Sequence, residues 1–323
     1  MNDDLKPKQK TKIDFSRFSI FLIVIATLLF LSVTREHFFT YQNIYSIFYG
    51  LSIEFYAVIG LTLLLIMGEV DLSIGSVFAF AGIFVGVVVL KTDLPIWIAI
   101  PISLALCAVI GFINGFFVIK FKVNSLMMTI GTMILFRGVA DGLIRLLEGT
   151  TYPSEFRQIA KFKIGGEFFI TIVFLILIVI ILEILLYYNI SFKKLYYIGE
   201  NTLSAKLYGI NTDKIKIIIF IISSVVAGIA GIFAAARSGH SVHNTGVGLE
   251  FKMITAAVLG GASLFGGKGS ILRSVAGLLF LATIFNGFVM YNVDPVYTGV
   301  VTGAVLIAVI IIDTRLNRDK LQY

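Results

Sequence analysis

The chain has 323 residues, of which 58% are hydrophobic and only 14% charged, with a mean hydropathy of +0.97. Soluble domains run at about 45–50% apolar and about 25% charged, so a water-soluble globule is excluded. The net charge of +7 is assigned to basic residues that hold cytoplasmic loops inside, not to nucleic-acid binding.

The apolar runs are continuous and near 20 residues. That length fits α-helical spans and excludes the alternating segments of about 10 residues of a membrane β-barrel. The expected fold is therefore all-α, a polytopic membrane protein of about ten transmembrane helices. In chain order they fall at 18–33, 46–67, 74–90, 95–118, 124–144, 168–189, 216–236, 253–266, 271–290 and 296–313. The eighth run is shorter than a straight crossing needs, so it is expected to be tilted, broken or re-entrant. Residues 1–17 read as a basic cytoplasmic tail, 18–313 as the membrane domain and 314–323 as a second cytoplasmic tail. Most Lys and Arg residues fall in the segments that this topology puts inside, which favours both termini in the cytoplasm.

Between the second and third spans lies Gly68-Glu69-Val70-Asp71-Leu72-Ser73-Ile74-Gly75. Polar, glycine-containing backbone at membrane depth is tolerated only inside protein or along a cavity, and charge there is costly. Asp71 and Ser73 are accordingly candidates for a solute pathway or its gate. Glu54, Arg137, Asp141, Glu183 and Asn286 also lie within or beside spans. For each, a structural pair and a pathway lining are both open readings.

Further along, Gly82/Gly86 and Gly111/Gly115 have the small-xxx-small spacing of close helix packing. Cys107 lies in an apolar run and reads as core. In the loop 190–215, Asn201 is a good N-cap and Gly209 a good C-cap for a short helix with an apolar face of Leu203 and Leu207. Such a helix is either a connector or a docking knob.

His37, His240 and His243 sit in loops without nearby Cys or paired carboxylates, so no metal site is assigned. Gly260–Ser270 superficially matches a phosphate loop, but Ala262 stands where the first Gly belongs and Gly269 follows Lys268. No cofactor and no ATP-hydrolysing activity are expected of this chain. Asp71, Ser76 and Gly82 recur at the same spacing as Glu250, Thr255 and Gly261, an offset of 179 residues. Such an echo is what an internal repeat of two halves leaves, and transporters built that way hold their site between the halves.

Four ordered motifs carry a family resemblance. Gly68–Gly75 resembles a Gly-Gly-Ile/Val-Asp-Leu-Ser-Val-Gly motif. Thr129-Ile130-Gly131-Thr132-Met133 with Arg137-Gly138 resembles a Thr-Leu-Gly-Thr…Arg-Gly segment. Tyr197-Ile198-Gly199-Glu200-Asn201 through Ala205-Lys206-Leu207-Tyr208-Gly209-Ile210 resembles a conserved-type inside loop. Gly260-Gly261 through Ser270, followed by Asn286-Gly287, resembles the C-terminal pattern. Together they resemble the inner-membrane permease subunits of ribose-type (simple-sugar) ABC importers, over nearly the whole chain.

The resemblance implies a multi-pass protein of the cell membrane moving a small polar solute, a monosaccharide, by alternating access. Its implied partners are a cytoplasmic ABC ATPase, an extracytoplasmic solute-binding protein, a second permease copy and the lipid bilayer. Residues 201–210, with Asn201, Ala205, Leu207, Gly209 and Ile210, take the role of the ATPase-coupling helix. Asp71, Ser73, Arg137, Glu250 and Asn286 are the expected pathway or gate residues. Glu69 and Arg273 depart from the family pattern, and Glu69 adds an expected charge beside the path. The alternatives are a branched-chain amino-acid ABC permease and, from another class, an ion-coupled secondary transporter.

Overall fold

A computed structural model describes residues 19–316 apart from 93, 148, 165–167, 241 and 243. The two expected tails lie outside it, except for the end of the last helix, and so does His243. The helices are α1 (Ser19–Thr34), α2 (Tyr41–Ile66), α3 (Ile74–Lys91), α4 (Ile96–Lys120), α5 (Ser125–Ile144), α6 (Ser154–Lys161) and α7 (Ile170–Tyr188). They continue with α8 (Ile190–Glu200), α9 (Thr202–Leu207), α10 (Thr212–Ser238), α11 (Leu249–Leu259), α12 (Ile271–Met290) and α13 (Tyr297–Leu316). Two-residue strands β1 (Lys163–Ile164) and β2 (Phe168–Phe169) form a small antiparallel hairpin between α6 and α7.

Among the described residues eight helices are long and apolar enough to cross a membrane, namely α2, α3, α4, α5, α7, α10, α12 and α13. The apolar α1 is shorter, at 16 residues. The run at 253–266, expected to be tilted, broken or re-entrant, is broken. Its helix, α11, has 11 residues and so rises only about 16 Å, half of a bilayer core of about 30 Å. It stops at Gly260-Gly261, where Gly261 takes φ +85°, a conformation that side-chain-bearing residues resist. Hydropathy runs across these glycines, but the helix does not.

The core is built around α10, which packs on α2, α3 and α4. Its neighbours approach closely because the contact points carry little side chain. A side chain on Gly82 would stand 2.6 Å from Gly231 O, and one on Gly111 2.5 Å from Phe220 O. The packing role expected of these two glycines is borne out. These contacts also fix direction. Gly60 meets Ser223 and Gly50 meets Arg237, so α2 is antiparallel to α10, whereas Gly82 meets Ala235 and Phe78 meets Gly231, so α3 runs parallel to it.

Two long helices are thus each followed by irregular backbone and then another helix: α2, 67–73, α3 and α10, 239–248, α11. The starts of the second helices meet. A side chain on Gly75 would stand 2.6 Å from Gly246 O and 3.2 Å from Glu250 Cδ. Gly75 precedes Phe78 by three residues, so it lies near the level of Gly228, about 24 Å along α10 from Thr212. The meeting point is therefore well inside the bundle.

Candidate solute pathway

The opening motif begins as a helix stop. Gly68 (φ +75°) follows the end of α2 while Gly68 N donates to Leu65 O (2.9 Å) and Glu69 N to Leu64 O (3.0 Å), a Schellman closure that uses up the last carbonyls. Beyond it the chain is extended, and its backbone needs other partners. The neighbouring helices provide them. Val70 N donates to Ser125 Oγ (3.3 Å) and Leu72 N to Thr129 Oγ1 (3.0 Å), both on α5.

Asp71 and Ser73 are fully buried. Asp71 Oδ1 accepts from Ser73 N (2.8 Å) and Ser73 Oγ (2.5 Å). Ser73 Oγ accepts from Asn114 Nδ2 (3.0 Å), and Asn114 Oδ1 from Thr132 Oγ1 (2.6 Å). This network pins the segment to α4 and α5. Asn114, Ser125 and Thr132 carry it; Thr132 belongs to the quoted Thr129–Met133 motif, whereas nothing in the sequence reading points to Asn114 or Ser125. The available signal was Asn114 itself, the one amide in the apolar run of α4.

Arg137 and Glu250 do come together. Arg137 donates from Nη1 to Thr245 O (2.6 Å) and from Nη2 to Gly246 O (3.0 Å), binding the irregular turn before α11. Glu250 is buried in the first turn of α11, with its Oε2 packed against Gly75. The starts of α3 and α11 and the Arg137 cation thus lie around one carboxylate, whose Oε2 is buried without a hydrogen-bond partner. Beside them lies an open cavity of about 560 Å³, lined among others by Met133, Arg137, Asp141, Arg145, Asn244 and Glu250.

The remaining polar candidates are dispersed. Asn286 exchanges amide bonds with Asn43 (3.0 and 2.7 Å), joining α12 to α2. Glu54 pairs with Lys252 at 2.6 Å. Glu183 accepts from Ser270 Oγ (2.8 Å) and Leu272 N (3.1 Å) at the start of α12. Glu69 pairs with Lys216 at 2.6 Å, both side chains 12% exposed, so its charge is taken up at the base of α10.

Asn201 caps α9 by accepting from Ser204 N (2.8 Å), and Gly209 ends the turn at φ +79°, as the loop sequence leads one to expect. Ala205 is buried, while Leu203, Leu207 and Tyr208 are strongly exposed.

A bundle of membrane-length helices with a charged cavity where the starts of α3 and α11 meet defines a polytopic transport permease. The chain belongs to the family described as branched-chain amino acid transport system / permease component, which matches residues 43–310. It is 31% identical to the autoinducer 2 import system permease protein of Photorhabdus luminescens, over 89% of this chain and 86% of that protein. It is 33% identical to the L-arabinose transport system permease protein of Escherichia coli, over 93% and 91%. It is 28% identical to the ribose import permease protein of Haemophilus influenzae, over 93% and 94%. No solved structure matches it. The resemblance read from the four motifs holds: this is a multi-pass membrane permease subunit of an ABC importer.

Proposed function

We propose that the chain carries a monosaccharide into the cell as one half of a permease dimer. A separate cytoplasmic ATPase drives it and an external binding protein supplies the solute. The observation that carries this reading is the charged cavity of about 560 Å³ at Arg137 and Glu250, which opens on a helix face with few neighbours. Similarity to arabinose, ribose and autoinducer 2 permeases along most of both chains supports the solute class.

In this reading Arg137 and Glu250 line the path, and their charges offer hydrogen bonds to sugar hydroxyls. Asp71 and Ser73 form the frame of the gate by fixing segment 67–73. Asn286 contributes through its bond to Asn43, which ties together the two helices behind the path. The α9 face of Leu203, Leu207 and Tyr208 docks the ATPase, with both chain ends in the cytoplasm. An exposed apolar patch on a short polar loop is a typical partner site.

The test is uptake by vesicles containing the purified permease, its ATPase and its binding protein. The expected result is ATP-dependent uptake of a labelled pentose or hexose, abolished by Glu250→Ala in a protein that still assembles. The family's description favours one second reading, branched-chain amino-acid import; leucine or valine uptake in place of sugar would establish it. Uptake driven by an ion gradient without ATP would refute both.

A further inference from the structure

Three stretches of backbone converge at the C-terminal end of α2 with almost no side chain between them. Gly267 N donates to Ile66 O (2.9 Å). A side chain on Gly199, near the end of α8, would collide with the same Ile66 carbonyl and stand 2.5 Å from Gly267 N. A side chain on Gly266 (φ +77°) would stand 2.7 Å from Gly199 O and 2.9 Å from Gly68 N. One turn before Gly199, Tyr196 OH donates to Gly269 O (3.0 Å). The turn 260–270 is itself clamped, since Asp313 accepts from Ser263 Oγ (3.2 Å) and Leu264 N (3.1 Å), and Glu183 holds Ser270.

The end of α8 therefore touches two turns at once: the one that starts segment 67–73 and the one that ends α11. Ordinary packed side chains absorb a small displacement by changing rotamer. Backbone against backbone has no such slack, and close-packed interiors transmit strain. Small shifts at such contacts switch packed elements between discrete arrangements.

We propose that this glycine junction is the mechanical link of the importer. It passes the displacement of α8 and α9 to both of these turns at once, and through them to segment 67–73 and α11, with Gly199 and Tyr196 as its positioning residues. The proposal rests on the reading that α9 docks the ATPase. It goes further in naming where the motion leaves the loop and which two elements receive it.

The test uses the complete importer in vesicles and reads sugar molecules imported per ATP hydrolysed. A merely structural role would change yield or thermal stability, but not this ratio in assembled protein. Tyr196→Phe removes one hydrogen bond at nearly constant volume and is expected to lower the ratio several-fold while ATP hydrolysis continues. Gly199→Ala is expected to lower it at least tenfold. Gly299→Ala, at a position on α13 where a side chain meets nothing within 4 Å, is expected to leave it unchanged.

An unchanged ratio in Tyr196→Phe overturns the proposal, as does an assembled Gly199→Ala with an unchanged ratio. If Gly199→Ala does not assemble, Tyr196→Phe decides alone. Wild-type uptake that needs no ATP would instead overturn the proposed function, and this inference with it.

Discussion

Ser73 serves two partners with one hydroxyl, donating to Asp71 and accepting from Asn114. Asn114 in turn accepts from Thr132, so its loss takes a partner from two buried hydroxyls, Ser73 before α3 and Thr132 on α5. A buried group left without its partner costs about 1–3 kcal/mol. Asn114→Leu is therefore expected to lower the thermal midpoint of the detergent-solubilised protein, and an unchanged midpoint would contradict the network. Glu69 and Lys216 make a different kind of demand, because removing one member of a buried pair costs about 3–5 kcal/mol whereas removing both costs far less. Lys216→Met should destabilise strongly, and the double variant Glu69→Leu/Lys216→Met should recover most of the loss. A double variant no better than the single one would show that the pair matters for something besides charge balance. Asp71 and Ser73 could be singled out in the sequence because polar residues between apolar runs are conspicuous. Lys216 could not be matched to Glu69, since 147 residues separate them and nothing local joins them.

At the scale of elements, α5 has one well-made side and one bare one. Ser125 and Thr129 bond the segment 67–73 and Thr132 bonds Asn114 on α4, while Met127, Ile134 and Leu135 are exposed, and side chains on Gly131, Gly138 and Gly142 would meet nothing within 4 Å. If the second permease copy packs there, single cysteines at 127, 131 and 134 should include at least one that a short bis-maleimide reagent links into dimers. A cysteine at Leu177, on the exposed side of α7, should give none. Linking at 177 but at none of the three α5 positions would move the dimer contact elsewhere. The long helices were legible because continuous apolar runs leave no other way to satisfy the backbone in lipid. The short helix α9 was legible because Asn201 and Gly209 are local stop signals of known geometry. The break after α11 was harder to see. Ala, Val, Leu and Phe continue on both sides of Gly260-Gly261, so hydropathy counts one segment where the backbone makes a half-length helix and a clamped turn. The small α6 has an apolar pair at Phe156 and Ala160, but at eight residues it is too short to stand out, and the two-residue strands of the β-hairpin are shorter still.

For the whole molecule, the echo of Asp71 at Glu250 does not place equivalent residues: Asp71 lies three residues before α3 and Glu250 inside the first turn of α11, while Gly82 lies within α3 and Gly261 beyond α11. The two starts meet at Gly75 and Gly246. The close approach was not legible in the sequence, because it depends on α10, which brings the start of α11 against that of α3. This central position of α10 also bears on how the protein is made. The helices that it joins, α2 to α4, are synthesised first, and the ribosome must add about 120 more residues after Lys120 before α10 is complete. At about 5–20 residues per second that wait lasts roughly 6–24 s. During it, the close-packing faces at Gly60, Gly82 and Gly111 have only lipid or an insertion chaperone to rest against. Chains stopped just before Thr212 should therefore be cleared quickly by membrane proteases, and chains extended past Ser238 should persist measurably longer in a pulse-chase experiment. Equal lifetimes would mean that the early helices hold together without their centrepiece. The late arrival of one helix thus sets a window in biogenesis when the half-made importer depends on its host for protection.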